Sequence, residues 1–255
     1  GDEYKKCAFD EQRRLGDIGF ISNIIENHDE PRGVSHYIAE GEVNDTSKKM
    51  LAAVNMMLRG LPFIYQGQEL GMTNVDFTSI DQIDDCSTLD EYQVALDAGL
   101  SPEEALRSVK PFSRDNARTP FQWDDSANAG FTTGTPWLSV NPNYKEINVE
   151  EAIKDEDSIF HFYQKLIRLR KEYEIISTGD FELLFEEDRR FFAYKRQADD
   201  RTLVVIANFT GESVVCDCTD EITFKEGRVL LSNYDRNSVE KIISLRPYEA
   251  VMYYM

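Results

Sequence analysis

Glu26-Asn27-His28-Asp29 places four polar side chains in a row, and Arg32 follows three residues later. Carboxylates, an amide, an imidazole and a guanidinium side by side can exchange protons or grip a polar ligand. The apolar run Phe20, Ile21, Ile24 and Ile25 stands just before them and predicts a short strand buried on both faces. Pro31 stops that strand. A buried parallel strand that delivers such a cluster at its carboxyl end is the layout of an α/β-barrel active site. Asn, Asp and Pro are also ordinary turn formers, so the residues alone leave a plain strand-and-turn reading open.

The elements that must position this cluster are legible in outline. Residues 4–15 are helix-permissive and end at Gly16. A loop runs from the cluster to Asn44. Thr46 can cap a helix with one apolar stripe at Met50, Leu51, Val54, Met57 and Leu58, closed by Gly60 as its C′ residue. Leu61–Tyr65 reads as a second strand, which makes a right-handed βαβ unit. Residues 66–87 form a loop, residues 88–98 a short helix, and Ser101-Pro102-Glu103-Glu104 a capping box opening another helix to about Val109. Residues 110–143 are irregular and rich in aromatic side chains. Asp157 or Ser158 caps a long helix with Ile159, Phe162, Tyr163, Leu166 and Leu169 on one side. After Ile175 the pattern turns to short strands: 181–185, 191–196, 203–209, 214–218, 229–234 and 251–254. Their spacing predicts an antiparallel β-sandwich. The chain divides accordingly into residues 1–174, an α/β part, and residues 175–255, an all-β domain.

Composition excludes several functions. The 255 residues carry a net charge of −19, which argues against nucleic-acid binding and suits a neutral ligand. No apolar run approaches the length needed to span a membrane. Cys7, Cys86, Cys216 and Cys218 form no C-x-x-C pair and read as thiols of a reducing cytoplasm; Cys216 and Cys218 would point the same way on one strand. His28, His36 and His161 have no ligand spacing with one another or with the cysteines, so no zinc or other metal site is expected.

The stretch E-N-H-D-E-P-R, Glu26 to Arg32, resembles the Asn-His-Asp motif of the α-amylase superfamily of glycoside hydrolases, in its oligo-1,6-glucosidase/α-glucosidase branch. G-L-P-F-I-Y-Q-G-Q-E-L-G, Gly60 to Gly71, is similar to the same branch. So are R-T-P-F-Q-W-D, Arg118 to Asp124, and its continuation from Asn128 to Trp137. The three fall in the branch's order, and with the β-rich tail the resemblance spans nearly the whole chain. It implies the C-terminal portion of a (β/α)8 TIM barrel followed by the β-sandwich. Only two parallel strands are found where a closed barrel needs eight, and the chain opens at Gly1, so the C-terminal part of a larger enzyme is expected.

By this resemblance Asp29 hydrogen-bonds the O2 and O3 hydroxyls of the sugar being cleaved and stabilises the transition state, and His28 donates to the same hydroxyls. Asn27 joins them in the site. Arg118 closes the pocket over the non-reducing sugar. Arg32 either fixes the loop or touches ligand. No match for the family's nucleophile or acid motif is found; both are expected upstream of Gly1, with the determinants of α-1,6, α-1,4 or phosphotrehalose specificity. The implied activity is retaining, exo-acting α-glucosidase hydrolysis of short oligosaccharides without a cofactor, with this chain inactive by itself. A stand-alone carbohydrate-binding module is the alternative; it needs an exposed aromatic row, which the adjacent pairs Phe191-Phe192 and Tyr253-Tyr254 make thin. Trp123, Phe131 and Trp137 read as a small satellite core rather than sugar platforms. Phe121 and His36 depart from the branch, where Met and Arg are common. An incomplete barrel would leave an apolar flank along the Phe20 and Leu61 strands, from which self-association is expected.

Overall fold

A computed structural model describes residues 2–16, 18–223 and 226–255. In chain order its elements are α1 (Asp2–Leu15), β1 (Ser22–Asn23), α2 (Gly33–Tyr37), α3 (Asp45–Met56), β2 (Leu61–Pro62), α4 (Cys86–Asp97), α5 (Pro102–Val109), α6 (Asp115–Arg118), α7 (Val149–Lys154), α8 (Ile159–Glu172) and α9 (Ile175–Thr178). The strands β3 (Asp180–Leu184), β4 (Phe191–Ala198), β5 (Arg201–Asn208), β6 (Val214–Asp217), β7 (Arg228–Ser232), β8 (Ile242–Leu245) and β9 (Ala250–Tyr254) follow. The chain forms two compact units.

The first unit takes residues 1–24, 41–63 and 162–255. In it β1 and β2 pair in parallel, Ser22 with Leu61 and Asn23 with Pro62, with α3 between them in sequence. This is the expected βαβ unit, but its strands are much shorter than the apolar runs suggested. Nor is the first buried on both faces: Phe20 and Ile24 of its run are exposed, as are Leu61 and Phe63 of the second. Among the described residues β1 and β2 pair only with each other, so these side chains have no neighbouring strand to pack under.

Helix α3 starts two residues earlier than expected. Asn44, not Thr46, is its cap, in a box with Ser47 whose side chain returns a bond to the Asn44 amide. It ends at Met56 with Met57 as C-cap, so Gly60 is no C′ residue; it lies at φ +119 where a Cβ would strike the Ile21 carbonyl.

The β domain is an uneven sandwich, with a five-stranded antiparallel sheet, order β3-β4-β5-β9-β7, and a two-stranded sheet, β6-β8. Strand β8, I-I-S-L, escaped the sequence reading. Phe191, Val204, Ile206, Val251 and Tyr253 of the large sheet share a core with Cys216, Cys218, Ile243 and Leu245 of the small one and its edge. The opposite face of the large sheet is covered too. Phe192 packs on Tyr4 and Phe9 of α1 at ring distances of 5.3 and 4.9 Å, and Tyr194 donates to the Val54 carbonyl of α3 at 2.8 Å. With Phe191, Phe192 and Tyr253 buried, the aromatic row needed by a stand-alone sugar-binding sheet is missing from these pairs. Cys216 and Cys218 do share a face, with sulfurs 3.5 Å apart; the neighbouring thiol and burial push the Cys216 pKa up.

The second unit takes residues 25–40 and 64–161. Its helices are short, and side chains bonded to backbone hold it together. Val75, Phe77 and Ile83 make a small core, with Ile80 and Leu106 against it. Ser101 and Glu104 form the expected capping box of α5. Ser158, of the two candidates, meets the first turn of α8, accepting from the His161 amide at 3.3 Å.

Candidate active site

The polar run after β1 does not continue as strand. Asn27 Oδ1 accepts from the Asp29 amide at 2.7 Å, an Asx turn that re-aims the chain. One carboxylate oxygen of Asp29 lies 3.1 Å from His28 Nε2. The other accepts from the Arg118 terminal nitrogen at 3.1 Å, while Arg118 Nε donates to the His28 carbonyl at 2.9 Å. A second guanidinium, Arg114, stands 3.7 Å from the same oxygen. Asp29 is thus held from both sides, yet its side chain stays 55% exposed. The result is an open carboxylate with an imidazole on one flank and cations on the other, suited to a ligand rich in hydroxyls.

Directly behind lies a buried clasp. The Arg32 side chain is 1% exposed and donates to Glu26 Oε2 at 3.2 Å and to the Gln66 carbonyl at 2.7 Å. Its second arm faces the Met72 sulfur and the Ala117 carbonyl, and its guanidinium carbon sits 5.5 Å from the Tyr65 ring centre. Glu26 Oε1 accepts from the Gly33 amide at 3.0 Å. Only glycine fits at Gly67, where φ is +90 and a Cβ would fall 2.9 Å from Arg32. Burial pushes the Glu26 carboxyl up to about 7, against the lowering effect of Arg32.

Helix α6 sets the arginines. Arg114 precedes its first residue and Arg118 is its last, so the two stand one turn apart on one side. Asp115, fully buried, has Oδ1 3.9 Å from Arg118, while its Oδ2 accepts from the Asp84 and Asp85 amides at 2.7 and 2.9 Å. Asp85 in turn takes Arg114 Nε at 2.8 Å. Burial alone would raise Asp85, but the Arg114 fork and the Thr88 hydroxyl outweigh it and hold its carboxyl down at about 2.

The structure therefore brings Asn27, His28, Asp29 and Arg118 together. Arg32 is separated from them by burial and spends its fork on protein, so of its two sequence readings the geometry matches the loop clasp and leaves no direct ligand contact. Arg114 was missed, and Glu26 was read only as the first member of the polar run, without its clasp to Arg32. The i, i+4 spacing of Arg114 and Arg118 was the available signal for the first. The satellite-core expectation also needs correction: Trp123 packs on Phe121 at 4.7 Å, but Trp123, Phe131 and Trp137 are all exposed. Among the described residues no group of three or more His, Cys, Asp or Glu is placed to hold a metal, and no helix is long and apolar enough to cross a membrane.

The fold, a parallel strand pair followed in the chain by an antiparallel C-terminal domain, defines the class of protein. The alpha-amylase catalytic-domain family matches residues 1–179 and the alpha-amylase SusG C-terminal domain matches residues 191–252. The chain belongs to the alpha-amylase family. It is 48% identical over 244 residues to the oligo-1,6-glucosidase of Halalkalibacterium halodurans, an alignment covering 95% of this chain and 44% of that enzyme. Against the oligo-1,6-glucosidase of Parageobacillus thermoglucosidasius it is 45% identical over 254 residues, 98% of this chain and 45% of the relative. The crystal structure of Bacillus licheniformis trehalose-6-phosphate hydrolase superposes with a TM-score of 0.93 at 43% identity, covering 98% of this chain and 46% of that one. The chain thus spans less than half the length of these relatives.

Proposed function

We propose that this chain forms the last part of the barrel, residues 1–174, and the β-sandwich, residues 175–255, of a retaining, exo-acting α-glucosidase acting on short oligosaccharides of the isomaltose or maltose kind. The observation that carries this reading is the exposed Asp29 carboxylate gripped by His28 and Arg118 in a chain of the alpha-amylase family. A retaining glycosidase cleaves with a nucleophilic carboxylate and a carboxylic acid about 5 Å apart. We assign both, and the choice of bond, to the part of the relatives' length that this chain does not span. Alone the chain is then inactive.

Asp29 would bond the 2- and 3-hydroxyls of the sugar under attack. As the ring flattens and gains positive charge, those hydroxyls become better donors, and a carboxylate there binds the transition state more tightly than the ground state. His28 donates to the same hydroxyls and, through its 3.1 Å contact, keeps Asp29 aimed. Asn27 holds the turn from which both project, and Arg32 holds the loop from behind. Arg118 marks the closed, non-reducing end. Four cysteines without a disulfide accord with a cytoplasmic enzyme.

Calorimetric titration of the chain with isomaltose tests the reading. Binding should weaken in Asp29→Asn and Arg118→Ala; equal affinity in both variants would remove the pocket.

A further inference from the structure

Trp137 is the feature that the pocket does not explain. Tryptophan brings a large apolar surface that proteins usually bury, yet this indole is 68% exposed. No other aromatic ring lies against it among the described residues. It is not loose, however. Its Nε1–H donates to Asp84 Oδ2 at 2.8 Å, and Pro136 restrains the backbone just before it. Asp84 is itself anchored, because its amide and that of Asp85 are both taken by the buried Asp115 carboxylate at 2.7 and 2.9 Å. Asp85 clamps Arg114, and Arg114 reaches to within 3.7 Å of Asp29. The open indole is therefore fixed by its edge to the frame that holds Asp29. Trp123 differs: its ring leans on Phe121 at 4.7 Å.

An indole pinned by its polar edge with its faces free suits one ligand chemistry, the apolar C–H face of a pyranose, whose hydroxyls point outward to water. Resting on the glucosidase reading above, we infer that Trp137 is a stacking platform for a further sugar ring of the substrate, beyond the ring that Asp29 holds. Trp137 would thus favour substrates longer than two sugars, and Asp84 is its positioning residue.

The sequence contains only two tryptophans, which gives a direct readout. In Trp123→Phe, Trp137 is the sole indole, and its emission should shift saturably with isomaltotriose and not with glucose. By calorimetry Trp137→Phe should bind isomaltotriose about tenfold more weakly, one stacking contact's worth, with glucose affinity unchanged. Asp84→Ala, which keeps the ring but frees it, should lose part of the same preference. Trp137 emission that stays fixed at saturating isomaltotriose, equal isomaltotriose affinity in Trp137→Phe, or no saccharide binding by the chain would each overturn the platform. If Arg118→Ala leaves glucose binding intact while Trp137→Phe weakens the trisaccharide, the platform stands and the pocket assignment falls.

Discussion

Arg118 and Asp29 lie 89 residues apart in sequence and 3.1 Å apart in space, and the same guanidinium also bonds the carbonyl of His28. Arg118 is therefore the tie that holds the Asn27–Asp29 turn against α6, and in the proposed function it is also a wall of the pocket.

This double role predicts a double effect. Arg118→Ala in the longer enzyme should lower kcat/KM for isomaltose or maltose by about 2–4 kcal/mol, the loss of a charged partner in a site built to pair hydroxyls. Arg118→Lys should recover only part, because an ammonium cannot bond the carbonyl and the carboxylate as a fork does. Urea unfolding of this chain should show a smaller loss, about 1 kcal/mol, since the side chain is partly exposed. A large stability loss with normal kcat/KM in the folded fraction would make Arg118 a structural clasp only.

The Glu26–Arg32 clasp makes stability depend on pH. Folded Glu26 keeps its proton up to about pH 7, whereas its ordinary value is 4.5. Between those values the folded state holds more protons than the unfolded one, so stability falls as pH rises, and the full loss is felt above 7. The net size is about 3 kcal/mol, with the cost of burial outweighing Arg32 and the nearby carboxylate of Glu69 adding to it. Urea titrations at pH 5 and 8 should show this slope in the parent and a flatter one in Glu26→Gln. Identical slopes would mean that Glu26 is already ionised in the fold.

The exposed flank of β1 and β2 carries Ile18, Phe20, Leu61 and Phe63 on one unit. Apolar patches of this kind associate. Sedimentation of the chain should show concentration-dependent self-association that Leu61→Lys with Phe63→Ser reduces. A sharp monomer at all concentrations would show that the flank is tolerated in water.

How much of this was readable depends on range. Asn27, His28 and Asp29 are contiguous, and the bonds that arrange them are mostly local, so the run announced itself. The Ser101–Glu104 box was legible for the same reason. Arg114 was not, because its meaning comes from Asp85, 29 residues away, which captures one end of the fork and points the other at Asp29. The Asn44 cap was mistaken because Asn44, Thr46 and Ser47 are all competent caps; only the Ser47 hydroxyl's return bond decides among them. Strand lengths failed where tertiary pairing sets them. The Phe20–Ile25 run has strand composition, but β1 is only as long as its ladder with β2.

The central claim, that Asp29 serves the transition state rather than a surface turn, is tested most directly by the kinetics of Asp29→Asn in the longer enzyme with p-nitrophenyl α-glucoside. The amide keeps the shape and loses the charge that responds to the developing oxocarbenium ion. The account predicts a fall in kcat of about a hundredfold or more, with KM changed much less. A kcat within twofold of the parent's, with any loss confined to KM or to stability, would contradict it.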